Sequence, residues 1–246
     1  MDKRVFLEES AKYYDASTDY DSIMSYFDIL EMKKYFAGKR FLELGSSAGT
    51  VTKKLLPYCD SLDILEGSTI ALSRTKKELK LETKVQYYHS LWESFVPTQK
   101  YSDIIFVRGL EHIKNQPVFL KKLSHWLLPG GRVHIIVPNA YSAHKLVLNA
   151  CGKIKNLFEL SERDKKLGHT IVYDTNTLLE HVEKSHCVVL SAKTFFFKPF
   201  KNDFMKKVSL SINNPLHTIL YWVGAIFPLW GAQIYVVCTP KYSAEI

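Results

Sequence analysis

The chain has 246 residues, 46% of them hydrophobic and 24% charged, enough to bury an ordinary core. Its net charge of +8 points toward nucleic acid or another anionic surface, but the lysines fall in separated pairs (33–34, 53–54, 76–77, 121–122, 165–166, 206–207). With no run of five like charges, these pairs read as solvated helix faces. Cys59, Cys151, Cys187 and Cys238 lack CxxC spacing, which argues against a disulfide frame or a zinc site and fits reduced thiols in the cytoplasm. The N-terminus lacks the apolar core and cleavage site of a signal peptide. The longest apolar stretch, 217–230, is shorter than the ~20 residues of a spanning helix and contains Pro228.

Residues 1–37 read as amphipathic helix, a cover for the sheet edge or for a site at its mouth. Arg40-Phe41-Leu42-Glu43-Leu44 is a short apolar strand ending near an acid. Gly45-Ser46-Ser47-Ala48-Gly49 then turns, and 50–56 reads as the start of a helix. Strand, tight turn and helix make the first unit of a doubly wound sheet, with helix-start amides that attract an anionic group. A dinucleotide fingerprint would want glycine at 47 and 50, where Ser47 and Thr50 stand. The second strand, 61–66, ends in Glu66, followed by Gly67 and Ser68. Glu66 lies 23 residues beyond Glu43, where a nucleoside-binding sheet places a carboxylate for the ribose hydroxyls. A helix N-terminal acid is the other reading of Glu66.

The third strand, 84–89, runs into Ser90-Leu91-Trp92. The fourth, 102–108, ends in Arg108 and continues as Gly109-Leu110-Glu111-His112-Ile113. A helix over 117–128 and the turn Pro129-Gly130-Gly131 lead to the fifth strand, 132–137, with Asn139 and Tyr141 at its carboxyl edge. Residues 140–173 exceed a simple loop and read as a cap insertion. A helix over 174–184 and a sixth strand over 187–197 follow. A second insertion, 198–231, is rich in Phe, Trp, Leu and Lys, and the last strand is 233–238.

Several of these stretches resemble the class I S-adenosylmethionine-dependent methyltransferases, in particular the ubiquinone-methyltransferase-like branch with small-molecule acceptors. Glu43, Gly45 and Gly49 match its acid-x-Gly-x-Gly-x-Gly motif, with Ser47 at the middle glycine. Leu110-Glu111-His112-Ile113, Leu127-Leu128-Pro129-Gly130-Gly131 and Gly168-His169 with Tyr173 match further elements, and Ile171 stands where arginine is usual. Tyr13-Tyr14-Asp15 resembles a segment whose aromatic ring closes over cofactor or substrate, against plain packing as the alternative. The resemblance implies an α/β, doubly wound, seven-stranded, mostly parallel sheet with an antiparallel last strand, forming one domain over 1–246 with two helical cap insertions. It implies S-adenosylmethionine as cofactor and S-adenosylhomocysteine as product. Glu43, Gly45, Ser46, Ser47, Gly49, Glu66, Gly67, Ser68 and Arg108 are then the expected cofactor-binding residues, with Ser90, Leu91 and Trp92 flanking the adenine. Tyr14, Asn139, Tyr141 and Tyr173 are the expected substrate contacts.

The function expected first is methyl transfer to a hydroxyl of a small molecule such as a sugar, a quinone or a phosphate- or phosphonate-bearing intermediate. His112 and His169 are the candidate bases, against a merely positioning His112 and an exposed loop His169. A small amine or amino sugar is the alternative acceptor. A nucleic-acid modification protein is a further alternative, which the basic pI of about 9.1 favours. Against it, no Asn-Pro-Pro-Tyr element follows the fourth strand, and no nucleic-acid partner is expected. No metal is expected, since no Asp-Asn pair ends that strand. The net charge suits an anionic substrate. The 217–230 stretch reads as a lid, a homodimer contact or a membrane-surface contact.

Overall fold

The computed structural model describes residues 2–241. Seven strands form one sheet in the order β3-β2-β1-β4-β5-β7-β6. They are β1 (Arg40–Leu44), β2 (Ser61–Glu66), β3 (Val85–His89), β4 (Tyr101–Val107), β5 (Leu127–Pro138), β6 (Cys187–Phe197) and β7 (Gly231–Pro240). β7 runs antiparallel to both of its neighbours and the other pairings are parallel. The central strands are mostly apolar because helices cover both faces, and the polar residues within them, such as Glu43, Asp63 and Asp103, are buried; all but the last residue of β4 are buried. Two buried clusters lie on either side of the sheet, one around Phe27, Phe41 and Tyr235, the other around Leu42, Phe106 and Ile135.

The helices depart from expectation where local chemistry intervenes. The segment after the first turn is only a four-residue helix, α3 (Thr52–Leu55), because Pro57 turns the chain into a 3-10 turn. α5 (Gln116–Ser124) stops before Leu127, which already pairs in β5. Residues 1–37 give α1 (Lys3–Tyr13) and α2 (Asp21–Met32), and α4 (Thr69–Glu78) follows β2. The first insertion carries α6 (Ala143–Ala150) and α7 (Glu162–Leu167), the latter started by a Ser161–Asp164 capping box. α8 (Thr175–Lys184) begins at an Asp174 cap. The second insertion carries α9 (Asn202–Val208) and α10 (Pro215–Ile226).

At the amino edge of the sheet, Asp103 accepts from the amides of Ala37 and Gly38 at 2.9 and 3.0 Å and lies 2.9 Å from His134 Nε2. The Tyr235 hydroxyl meets His134 Nδ1 at 2.9 Å. The group is fully buried and ties β4, β5 and β7 together at the edge away from the ligand-binding end.

α10 docks on β6 through Gly224, where an added Cβ would lie 2.7 Å from the Phe196 nitrogen and 2.9 Å from that of Phe197. Backbone cannot yield as a flexible side chain does. Gly224→Ala is expected to cost about 1–3 kcal/mol of stability, read as a lower denaturant midpoint at unchanged slope.

Candidate functional site

At the carboxyl edge of the parallel strands lies a cavity of about 1820 Å³, where an open α/β sheet holds its ligands. Its floor begins at the turn after β1. Gly45, Ser47 and Gly49 all have positive φ, at 82°, 53° and 75°. A Cβ on Gly45 would lie 2.9 Å from the Trp92 ring. Ser47 holds a left-handed conformation that glycine adopts without strain, so this turn keeps its shape despite the missing glycine.

The turn is held by Glu66. Its Oε2 accepts from the amides of Ser46 and Ser47 at 2.9 and 3.1 Å, and its Oε1 from the Ser68 amide at 3.0 Å. Glu43 lies beneath, fully buried, and burial with the Glu66 charge beside it pushes its carboxyl up to about 8. Glu43 is thus a neutral support under the loop and does not line the cavity.

The expected site residues divide. Gly45, Ser46, Ser47, Glu66, Gly67, Ser68, Leu91, Trp92 and Arg108 line the cavity, as do Tyr14, His112, Asn139, His169 and Tyr173. Four do not, and their placement has local reasons. Glu43 is beneath the turn. Gly49 faces Thr75 and Glu78 of α4. Ser90 turns its hydroxyl to the Leu91 carbonyl. Tyr141 packs edge-on against Phe158 on the outside. Among the lining residues, Asn139 spends its amide on the carbonyls of Leu229 and Gly231 at 3.1 and 2.8 Å. Arg108, at φ 51°, lies 2.8 Å from Asp28 of α2 and so has an anionic partner already.

Sequence reasoning missed Glu8. Its carboxylate accepts from the amides of Thr69 and Ile70 and from the hydroxyls of Ser68 and Thr69, at 2.6–3.2 Å. Burial acts to raise its pKa, but these bonds together lower it to about 2. They pin α1 across the cavity at the N-terminus of α4, where a negative charge is favoured. No sequence signal marked it, since the contact joins segments about sixty residues apart.

The far side holds the two histidines. Their rings meet edge to face with centroids 4.7 Å apart. Burial and the charge of His169 push His112 down to about 4, against backbone hydrogen bonds to Gly168, Leu167 and Arg108, so it is neutral at physiological pH. His169 is shifted the other way: burial opposes its charge, but Asp164, 3.2 Å from Nδ1, and the Glu111 charge raise its pKa. Glu111 is buried, and neither of its carboxylate oxygens has a partner among the described residues. Ligand atoms of Glu111, His112 and His169 all lie within 4.8 Å of one another, so the three could hold one cation. Asp164 would then orient His169 from behind, as outer carboxylates do.

This geometry suits S-adenosylmethionine. The glycine turn admits a ligand close to the backbone, Leu91 and Trp92 wall its side, and the carboxylates of Glu66 and Glu111 line the cavity that a cationic sulfonium would enter. The family model of the methyltransferase domain matches residues 21–194. The chain belongs to the S-adenosylmethionine-dependent methyltransferases. A stretch of 107 residues is 29% identical to nodulation protein S of Sinorhizobium fredii, covering 42% of this chain and 48% of that one. The chain thus matches about half the length of that curated relative. Among solved structures, the fold is similar to the DhpI–SAM–HEP complex, with TM-score 0.61, 16% identity and coverage of 96% and 95%. It is also similar to the N-methyltransferase NodS of Bradyrhizobium japonicum WM9 bound to S-adenosyl-L-homocysteine, with TM-score 0.52, 13% identity and coverage of 87% and 83%. A Clostridium acetobutylicum S-adenosylmethionine-dependent methyltransferase has TM-score 0.58 at 11% identity and coverage of 91% and 93%. The cofactor of this methyltransferase is S-adenosylmethionine.

Because Glu66 holds the turn through three amides, Glu66→Ala is expected to weaken S-adenosylhomocysteine binding at least tenfold in calorimetric titration. Circular dichroism and thermal unfolding check that the variant is folded.

Proposed function

We propose that the protein transfers a methyl group to a hydroxyl of a small acceptor that carries an anionic group. The observation that carries this reading is the neutral, half-buried His112 beside the Glu111–His169–Asp164 cluster in the cofactor's cavity. Bound S-adenosylmethionine supplies a methyl already activated by its positive sulfur. The chain's own part is to align the acceptor, exclude water and take the hydroxyl proton on the unprotonated nitrogen of His112. The charges of Glu111 and Asp164 favour a protonated His169, which can hold an acceptor oxygen in place.

The anionic group has a wall of its own. Ser142, His144, Lys145 and Lys198 line the same cavity, and the His144 amide donates to the Lys198 carbonyl at 3.2 Å. The Ser142 hydroxyl and His144 Nδ1 are buried with no partner among the described residues. Burial pushes Lys198 down to about 8, against the pull of Asp21, so a further negative charge beside it is favourable. Burial and the charges of Lys198, Lys145 and Lys201 push His144 down to about 3. Lys198 and Lys145 each spend one donor, on Asn202 Oδ1 at 2.6 Å and the Leu157 carbonyl at 3.0 Å. The ammonium donors left over, with the Ser142 hydroxyl, are what a phosphate, phosphonate or carboxylate needs.

An amine acceptor is the second reading. The unpartnered Glu111 carboxylate favours it, since it can receive the proton an ammonium must lose. The similarity to nodulation protein S and to the NodS fold points the same way.

The test is transfer of labelled methyl to a panel of hydroxyalkyl phosphates and phosphonates, their amino counterparts and uncharged analogues. The anionic hydroxyl compounds are expected to be the substrates. His112→Ala should lower kcat about 10²–10⁴-fold and leave S-adenosylhomocysteine affinity unchanged. Protonation of His112 removes the base, so the wild-type rate falls as pH drops, with its acid limb below the ordinary histidine value of 6.5. Lys198→Met should raise the acceptor KM about 10–100-fold. Turnover of the amines alone would establish the second reading. A rate abolished by a chelator and restored by a divalent ion would move the role of His112 from base to metal ligand.

A further inference from the structure

The outer half of the second insertion leaves a broad apolar face exposed. α10 buries His217, Leu220 and Gly224, a stripe one helix face wide that lies on β6. The opposite stripe, Ile219, Trp222 and Ile226, is 56%, 63% and 70% exposed. The chain then continues in the open through Phe227, Leu229 and Trp230, with Leu229 73% exposed. Phe204 and Val208 of α9 extend the same apolar surface. A surface helix normally sets a polar face against its buried one. α10 is apolar on both, and continuous exposed apolar patches mark interaction sites.

Charge indicates what covers the patch. Lys198, Lys201 and the one acid of the stretch 198–230, Asp203, line the cavity, which leaves Lys206 and Lys207, next in sequence to Val208, as the charges outside it. A second copy seated on this face by a twofold axis would set lysines against lysines. An anionic lipid surface accommodates both features at once. Tryptophan and aliphatic side chains settle at the headgroup–acyl boundary, and ammonium groups meet the lipid phosphates.

We propose that the exposed face of α9, α10 and the 226–230 turn docks on an anionic phospholipid membrane. The contact is peripheral, because no described helix is long and apolar enough to cross a bilayer. The patch is tied to the rim of the cavity by short backbone links. The Ala143 amide donates to the Trp230 carbonyl at 3.1 Å, and Asn139 donates to the Leu229 carbonyl at 3.1 Å. Docking therefore sets the α6 edge of the cavity, with its lysines, next to the headgroup layer.

The experiment is flotation of the full chain with two kinds of vesicle, phosphatidylcholine alone and phosphatidylcholine mixed with an equal part of phosphatidylglycerol. Binding is expected only to the mixed vesicles, with a blue shift of tryptophan fluorescence and a decline as salt rises. Lys206→Glu with Lys207→Glu is expected to weaken binding about tenfold or more. Trp222→Ala with Ile226→Ser is expected to do the same and to remove most of the blue shift. All four side chains lie outside the catalytic cavity, and cooperative thermal unfolding of each variant checks the fold. Absence of binding to the mixed vesicles, or equal binding to both kinds, would overturn the proposal. So would a dimer in sedimentation equilibrium that Trp222→Ala with Ile226→Ser dissolves, since the patch would then belong to a second copy.

Discussion

Glu66 is the group on which the rest of the site depends. The turn after β1 must bend back under the cofactor, and its amides at Ser46 and Ser47 cannot be paired within a strand or a helix. One carboxylate oxygen takes both, and the other takes the amide of Ser68, so the ends of β1 and β2 are fixed to each other. A carboxylate has roughly four acceptor positions, and three amides leave about one free for a ligand hydroxyl. This revises the expected role of Glu66. Its first task is to build the floor, and contact with a ribose would use what remains. Burial first, and the Glu66 charge after it, keep Glu43 protonated beneath the turn.

The same economy of charge governs the N-terminal cover. Arg108 comes off β4 with a left-handed φ, and the resulting buried guanidinium must be paired. Asp28 of α2 supplies that pair, with the Asp21 charge nearby. Asp19 and Asp21 also face Arg163, which leads into α7 of the first insertion. Cover, central strand and cap are therefore joined by ionic contacts across about 140 residues of sequence. Glu8 adds the last tie, from α1 to the start of α4.

These ties explain which parts of the protein were legible in its sequence. The central strands were plain because a strand buried on both faces must be a mostly apolar run, and β6 over 187–197 follows the expected bounds. The turn was plain because two glycines at positive φ leave few alternatives, and Ser47 tolerates the third position. The site beyond the turn was legible only in part. His112 and His169 could be named, but their opposite proton affinities come from burial and the His169 charge at His112, and from Asp164 and Glu111 at His169, all of which only the folded chain brings together. Glu8, Ser142, His144 and Lys198 carried no local signal. Each acquires its place through a long-range contact, and periodicity reports only neighbours a few residues away.

The gathering of charge into one cavity is the less obvious consequence of the fold. In sequence the lysines look evenly scattered, as solvated faces would be. In the structure Lys145, Lys153, Lys155, Lys198 and Lys201 all line the one cavity, drawn there by the two insertions. The acids that line it include Glu66 and Glu111 from the ends of the parallel strands, and also Glu159, Glu162, Asp164 and Asp203 from the insertions. Both signs of charge therefore meet in one cavity and are held in place by pairing, as Asp164 is beside His169 and Arg163 beside Asp19. Low-dielectric walls focus the field of such charges, which falls off with salt. The net charge of +8 is uninformative as a sum, because a ligand meets this local arrangement and not the total.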